Sequence, residues 1–206
     1  MPSKFRLRRI FRPLVIKIAE LFVKMKIKPN QASFLMLLCS ILSFMMLHVF
    51  NNLILFGIFV FITGLMDGVD GAIARLTDNS TKYGAFLDST LDRVSEIIIY
   101  AALVISGLSF YTDLNAFSGL FQILVLMTTF GSLMISYLRS RATNEINADF
   151  DIGLFARSER LFTLFIISVI PFSLFYFIGF TALSMGVVST AIYRYMRYRE
   201  YFLEQN

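Results

Sequence analysis

Apolar runs, each close to the length of a bilayer crossing, follow one another from residue 31 almost to the end of the chain. A membrane helix needs roughly 20 predominantly apolar residues to cross a hydrocarbon core of about 30 Å. Six segments meet that need, at 31–50, 53–75, 84–107, 114–138, 157–178 and 180–198. Inside hydrocarbon every backbone N–H and C=O must find its partner within the protein, which leaves helices for runs of this length. The expectation is an all-α polytopic membrane protein with six transmembrane helices. A hydrophobic content of 57% and a mean hydropathy of +0.70 exclude an ordinary soluble core. Pro171 should kink the fifth span, with neighbouring helices or water satisfying the freed carbonyl.

Residues 1–29 have a different character. The opening MPSKFRLRRIFRPLVIKIAELFVKMKIK is too charged to span a bilayer and lacks a small-residue cleavage site, so it is not expected to be a signal peptide. Leu14, Ile18, Leu21, Phe22 and Met25 recur at helical spacing, and Arg12, Lys17, Lys24 and Lys28 favour headgroups. That pattern predicts an N-terminal amphipathic interfacial helix, ended by Pro29, ahead of a membrane domain over 30–206. Cys39 and the single histidine, His48, belong to the first long apolar run and read as packing or interfacial groups.

The basic residues orient the spans. All 19 lysines and arginines fall in the amino-terminal arm, in alternate connections, or at the carboxyl end, whereas 51–52, 108–113 and 176–180 hold none. Basic residues favour the cytoplasmic side of a multispanning protein. Both termini should therefore face the cytoplasm from a cell membrane, and 13 of the 14 acids share that side, with Asp113 opposite. The bilayer is the expected environment, and no nucleic-acid partner is expected.

One stretch resists the apolar pattern. DGVDGAIAR, Asp67 to Arg75, follows the second apolar run, and GAFLDSTLD adds Asp88 and Asp92. On a helix Asp67 and Asp70 share a face at i,i+3, and Asp88 and Asp92 share another at i,i+4. The polar turn TDNSTKY is short enough to make the two spans antiparallel neighbours, bringing the pairs together. Four carboxylates in a partly desolvated cleft repel one another and protonate unless cations neutralise them. Hard oxygen ligands suit magnesium, manganese or calcium, and two such ions suit in-line phosphoryl chemistry. Gly68, Gly71, Gly84, Ala72 and Ala74 leave room for a phosphate or base to approach the backbone, and Arg75 can meet a phosphate as a planar fork. The plainer reading is that the small residues pack helices and the charges pair with each other.

Taken together, DGVDGAIAR, eight residues, then GAFLDSTLD resembles the signature of the CDP-alcohol phosphotransferases, D-x2-D-G-x2-A-R-x8-G-x3-D-x3-D, at Asp67, Asp70, Gly71, Ala74, Arg75, Gly84, Asp88 and Asp92. KPNQAS, Lys28 to Ser33, also resembles the family's entry to its first span. The resemblance implies that an acceptor hydroxyl attacks the β-phosphate of a CDP-linked lipid, CDP-diacylglycerol or CDP-archaeol, and releases CMP. It implies that Asp67, Asp70 and Asp88 are ligands of Mg2+ or Mn2+, two ions in all, and that Asp92 completes the metal site or accepts the hydroxyl proton. Asp67, Asp70, Gly71, Ala74, Arg75 and Gly84 would bind the CDP moiety. A homodimer is usual in the resembling family.

The acceptor has to be read from other residues. SYLRSRA and GLFARSERL resemble the branch that makes phosphatidylinositol-phosphate or archaetidylinositol-phosphate from inositol 1-phosphate, a phosphorylated polyol. A phosphorylated acceptor needs a charge-assisted cradle, and Arg139, Arg157 and Arg194 are the expected acceptor-phosphate residues. Glycerol 3-phosphate would use the same cradle. From other functional classes, a divalent-cation transporter or a non-catalytic membrane scaffold could also place aspartates and basic residues in this way.

Overall fold

The computed structural model describes residues 7–108, 112–146, 153–170 and 172–204, and among them every regular element is helical. The order is α1 (Leu7–Lys24), α2 (Pro29–His48), α3 (Leu53–Met66), α4 (Val69–Leu76), α5 (Lys82–Ser106), a 3-10 turn at Thr112–Phe117, α6 (Ser118–Ile146), α7 (Arg157–Val169) and α8 (Ser173–Glu204). Four stretches among the described residues are long and apolar enough to cross a membrane: Pro29–His48, Leu53–Leu76, Ser118–Thr143 and Ser173–Leu203. Of the other two expected spans, α5 has 25 residues but carries Asp88, Asp92, Arg93 and Glu96, and α7 has only 13.

Several boundaries differ from the sequence reading for physical reasons. Helix α1 ends at Lys24, and Pro29 opens α2 instead of closing α1. Proline fits the first helical position because its missing N–H has no intrahelical partner there. The expected connection near 176–180 lies instead at 170–172, where Ile170 is extended (φ −85°, ψ 113°). A residue before proline is disfavoured in the α region, so the chain breaks where only a bend was expected; Pro171 itself lies outside the described residues. Asn52 caps α3 by accepting from Leu55 N at 2.9 Å, which matches the expected connection at 51–52.

The larger core is built from Phe56 and Val60 of α3, Ile99 and Leu103 of α5, Phe121 and Val125 of α6, Leu164 of α7, and Phe180 and Val187 of α8. The outer surface is also apolar: Phe34, Leu38, Ile54, Ile123, Phe130 and Met185 are exposed. Water disfavours so continuous an apolar exterior, while lipid tolerates it. A smaller core joins Ala19 of α1 to Val69, Ala72 and Ile73 of α4, with Val15, Ile18, Phe22 and Val23 packed on it. Leu14 and Leu21 of the predicted apolar stripe remain exposed on α1, as does Met25 just beyond its end.

Helix α2 packs along both α3 and α5, and α7 packs along α3. The two aspartate-bearing segments were expected as antiparallel neighbours at the level of TDNSTKY. Both also pack along α2, and carboxylates from the two segments meet there.

Candidate active site

The second expected span is not one continuous helix. Helix α3 stops at Met66, Asp67 is its C-terminal cap, and α4 restarts at Val69 after Gly68. A Cβ on Gly68 would lie 3.3 Å from Val15 Cγ1, so α1 presses against this break. Asp67 thus closes α3 and Asp70 lies in the first turn of α4, and both come near Asp88 of α5.

Asp67 turns toward α5. Among the described residues, Asp67, Asp88 and Asp92 can each offer an oxygen such that all three lie within 4.8 Å of one another. Asp88 and Asp92 reach this point together because one turn of α5 separates them. Arg157, at the first turn of α7, sets Nη1 between Asp67 Oδ1 and Asp92 Oδ1. The guanidinium thus stands where the carboxylates require a positive charge.

Asp70 is buried at 4% exposure and is tied down differently. Its Oδ2 accepts from Ser33 Oγ at 2.6 Å and its Oδ1 accepts from Gly71 N at 2.6 Å. It stands beside Asp88, whose Oδ1 is buried with no hydrogen-bond partner among the described residues. An orphaned carboxylate oxygen facing other carboxylates fits a divalent cation, which supplies what no side chain here does.

The three clustered aspartates open into a cavity of about 610 Å³. Arg139 and Ser136 from α6, Arg157 from α7 and Arg194 from α8 line it as well. Arg194 is buried and donates to Ile135 O at 3.2 Å. Arg157 Nε is buried without a partner among the described residues, although its Nη1 is engaged. All three expected acceptor arginines therefore share one chamber with Asp67, Asp88 and Asp92.

The remaining signature residues do not line that chamber. A Cβ on Gly71 would sit 3.3 Å from Arg75 Nη1, so the exposed Arg75 side chain folds back over the bare glycine. A Cβ on Gly84, one turn before Asp88, would meet Thr81 Oγ1 at 3.0 Å and Asn30 Oδ1 at 3.4 Å. Ala74 is half-buried on α4. The entry of α2, which carries Asn30 and Ser33, thus closes on both glycines' neighbourhood.

Sequence reasoning missed Glu96 and Arg160. Glu96 Oε1 accepts from Arg160 Nε and Oε2 accepts from Arg160 Nη2, both at 2.8 Å, and both side chains line the cavity. Their signal was present in the sequence: Asp88, Asp92 and Glu96 fall at i,i+4,i+8, and Arg157 and Arg160 at i,i+3, so each set shares a helical face.

A family model described as CDP-alcohol phosphatidyltransferase matches residues 26–192. An archaetidylinositol phosphate synthase of Pyrococcus horikoshii is 32% identical over 192 residues, 93% of this chain and 89% of that protein. The crystal structure of Mycobacterium tuberculosis phosphatidylinositol phosphate synthase with CDP-DAG bound superposes with a TM-score of 0.75 at 24% identity, covering 90% of this chain and 94% of that one. The same enzyme in complex with manganese and citrate superposes with a TM-score of 0.74 at 25% identity, covering 89% and 88%.

Proposed function

The chain belongs to the CDP-alcohol phosphatidyltransferase family, and on that premise we propose that it transfers a phosphatidyl-type group, diacyl or archaeal diether, from a CDP-linked lipid to the hydroxyl of inositol 1-phosphate, releasing CMP. The observation that carries this reading is the shared chamber: three clustered aspartates and three arginines from α6, α7 and α8 face one space. Donor chemistry needs the acids, and a phosphorylated acceptor gives the cations beside them an anion to hold. The buried, unpartnered Arg157 Nε supports an anion as the missing partner.

Asp67, Asp70, Asp88 and Asp92 would hold two divalent ions, Mg2+ or Mn2+. When bound, these would offset the charge that builds on the diphosphate in an in-line displacement. Arg139, Arg157 and Arg194 hold the acceptor's phosphate and aim its hydroxyl at the β-phosphorus. Asp92 takes the hydroxyl proton as the new P–O bond forms and the bond to CMP breaks, leaving a phosphodiester. Gly71, Ala74, Arg75 and Gly84 bind the CDP moiety.

The same reading covers the membrane arrangement. Helix α5 crosses with its charged face turned to the chamber, and the short α7 crosses with support from α3 and α8, which makes six spans. Residues 1–29 form a juxtamembrane amphipathic segment and 30–206 the membrane domain, with both termini and the chamber on the cytoplasmic side of the cell membrane. Two copies would pair through the exposed aromatic and methionine side chains of the third and fourth spans, such as Met127 and Phe130.

CMP release from the purified chain tests the function. The assay supplies CDP-diacylglycerol or CDP-archaeol, with magnesium or manganese, and inositol 1-phosphate, glycerol 3-phosphate, free inositol or serine. Release that depends on inositol 1-phosphate and is lost in Asp88→Asn is the expected result. Release with glycerol 3-phosphate instead would reassign the acceptor.

A further inference from the structure

The Glu96–Arg160 pair lines the chamber, yet none of the proposed steps uses it. Arg160 engages all its nitrogens on fixed partners: Nε and Nη2 meet Glu96 at 2.8 Å, and Nη1 donates to Phe155 O at 2.9 Å. The two side chains are 4% and 0% exposed. Burying two ions forfeits their hydration, and an apolar pair of similar volume often serves stability as well or better. Stability alone is therefore a poor account of a charged pair at this position.

Its placement suggests a different role. Glu96 lies one turn beyond Asp92 on α5, and Arg160 one turn beyond Arg157 on α7, so the fork sets the register of α7 against α5 next to the Arg157–Asp92 contact. The same guanidinium holds the segment that leads into α7. There the Phe155 ring seats on Gly186 of α8, where a Cβ would come within 2.3 Å of it. Gly153, in the left-handed region at φ +107°, lies against Thr190 and Arg194 Nε. One guanidinium thus ties together α5, α7 and the strap that leans on α8.

We propose that Glu96 and Arg160 are positioning residues for the acceptor: by fixing α7 and its leading segment, they set where Arg157 and Arg194 stand relative to one another and to Asp92. This rests on the reading that those arginines hold the acceptor's phosphate. A planar fork with two parallel N–H bonds fixes distance and angle together, which neither a lysine nor an apolar pair does.

The test compares Arg160→Lys, Glu96→Gln and the double variant Glu96→Met/Arg160→Met with the unmodified chain and with Arg157→Ala. KM and kcat for inositol 1-phosphate, KM for CDP-diacylglycerol and the thermal midpoint are measured on each. Arg160→Lys and the double variant should raise the acceptor KM by roughly ten- to hundredfold, since small misplacements of binding groups have effects of this size. The donor KM should stay unchanged, and the double variant should melt at or above the unmodified protein. Glu96→Gln keeps the acceptor oxygen and the shape, and should show a smaller rise of the same kind. A double variant that folds and binds the acceptor normally would reduce the pair to a structural element. If the double variant fails to fold, Arg160→Lys decides by the same split between acceptor and donor KM. If Arg157→Ala leaves the acceptor KM unmoved, the cradle reading itself fails and takes this inference with it. An effect in Arg157→Ala with none in the pair variants overturns this inference alone.

Discussion

Ser33 donates its hydroxyl to Asp70 Oδ2 at 2.6 Å, joining the entry of α2 to a carboxylate 37 positions further along the chain. With Gly71 N on the other oxygen, Asp70 is oriented before any ligand arrives. Hydrogen bonds of this kind, one step removed from a metal, hold a ligand's lone pairs in the productive direction.

Ser33→Ala should therefore weaken metal binding while leaving the fold intact. A loss of about ten- to hundredfold in manganese affinity is expected, measured by the EPR signal of free manganese during titration. An unchanged titration would show that Asp70 needs no support from α2.

Arg139→Ala, Arg157→Ala and Arg194→Ala should each raise the KM of inositol 1-phosphate more than that of the CDP-lipid. A hydrogen bond to a charged group contributes about 1.5–3 kcal/mol, which corresponds to roughly ten- to hundredfold in affinity. Arg157 has a second consequence, because it also sits between Asp67 and Asp92. Its removal takes away a cation that shares those carboxylates, so manganese should bind Arg157→Ala at least as tightly as the unmodified chain. Equal rises in both Michaelis constants would contradict the assignment of these arginines to the acceptor.

Gly57 lets α3 and α7 approach closely: a Cβ there would lie 2.8 Å from Ser168 Cβ. Small residues allow membrane helices to come together where no hydrophobic driving force separates protein from lipid. Gly57→Ala should destabilise by about 1–3 kcal/mol through overpacking and lower the thermal midpoint in detergent. It should also loosen the support of Arg157 and so raise the acceptor KM. An unaltered midpoint would mean that α7 can shift without consequence.

Much of the site was legible because its chemistry is written in local spacing. Asp88 and Asp92 meet on one face because i,i+4 on a helix always does, and the structure places them together with Asp67. Asp67 and Asp70 also both come near Asp88, although the helix is interrupted at Gly68 between them. Glu96 and Arg160 escaped notice because a buried charge declares itself only through its partner, here 64 positions away. The short connection was enough to bring carboxylates of the two aspartate-bearing segments together, but it did not say that α2 would pack along both.

The sequence by itself determined the all-helical class, the apolar stretches, the carboxylate signature and the grouping of basic residues, since each depends on composition or on residues within a few helical turns. Tertiary structure alone decided that Arg157 would lie against Asp67 and Asp92, that Asp70 would be held by Ser33, and that arginines from α6, α7 and α8 would share one chamber with the acids. Those contacts join residues far apart in the chain, and they exist only because close packing of the helices brings those particular faces together.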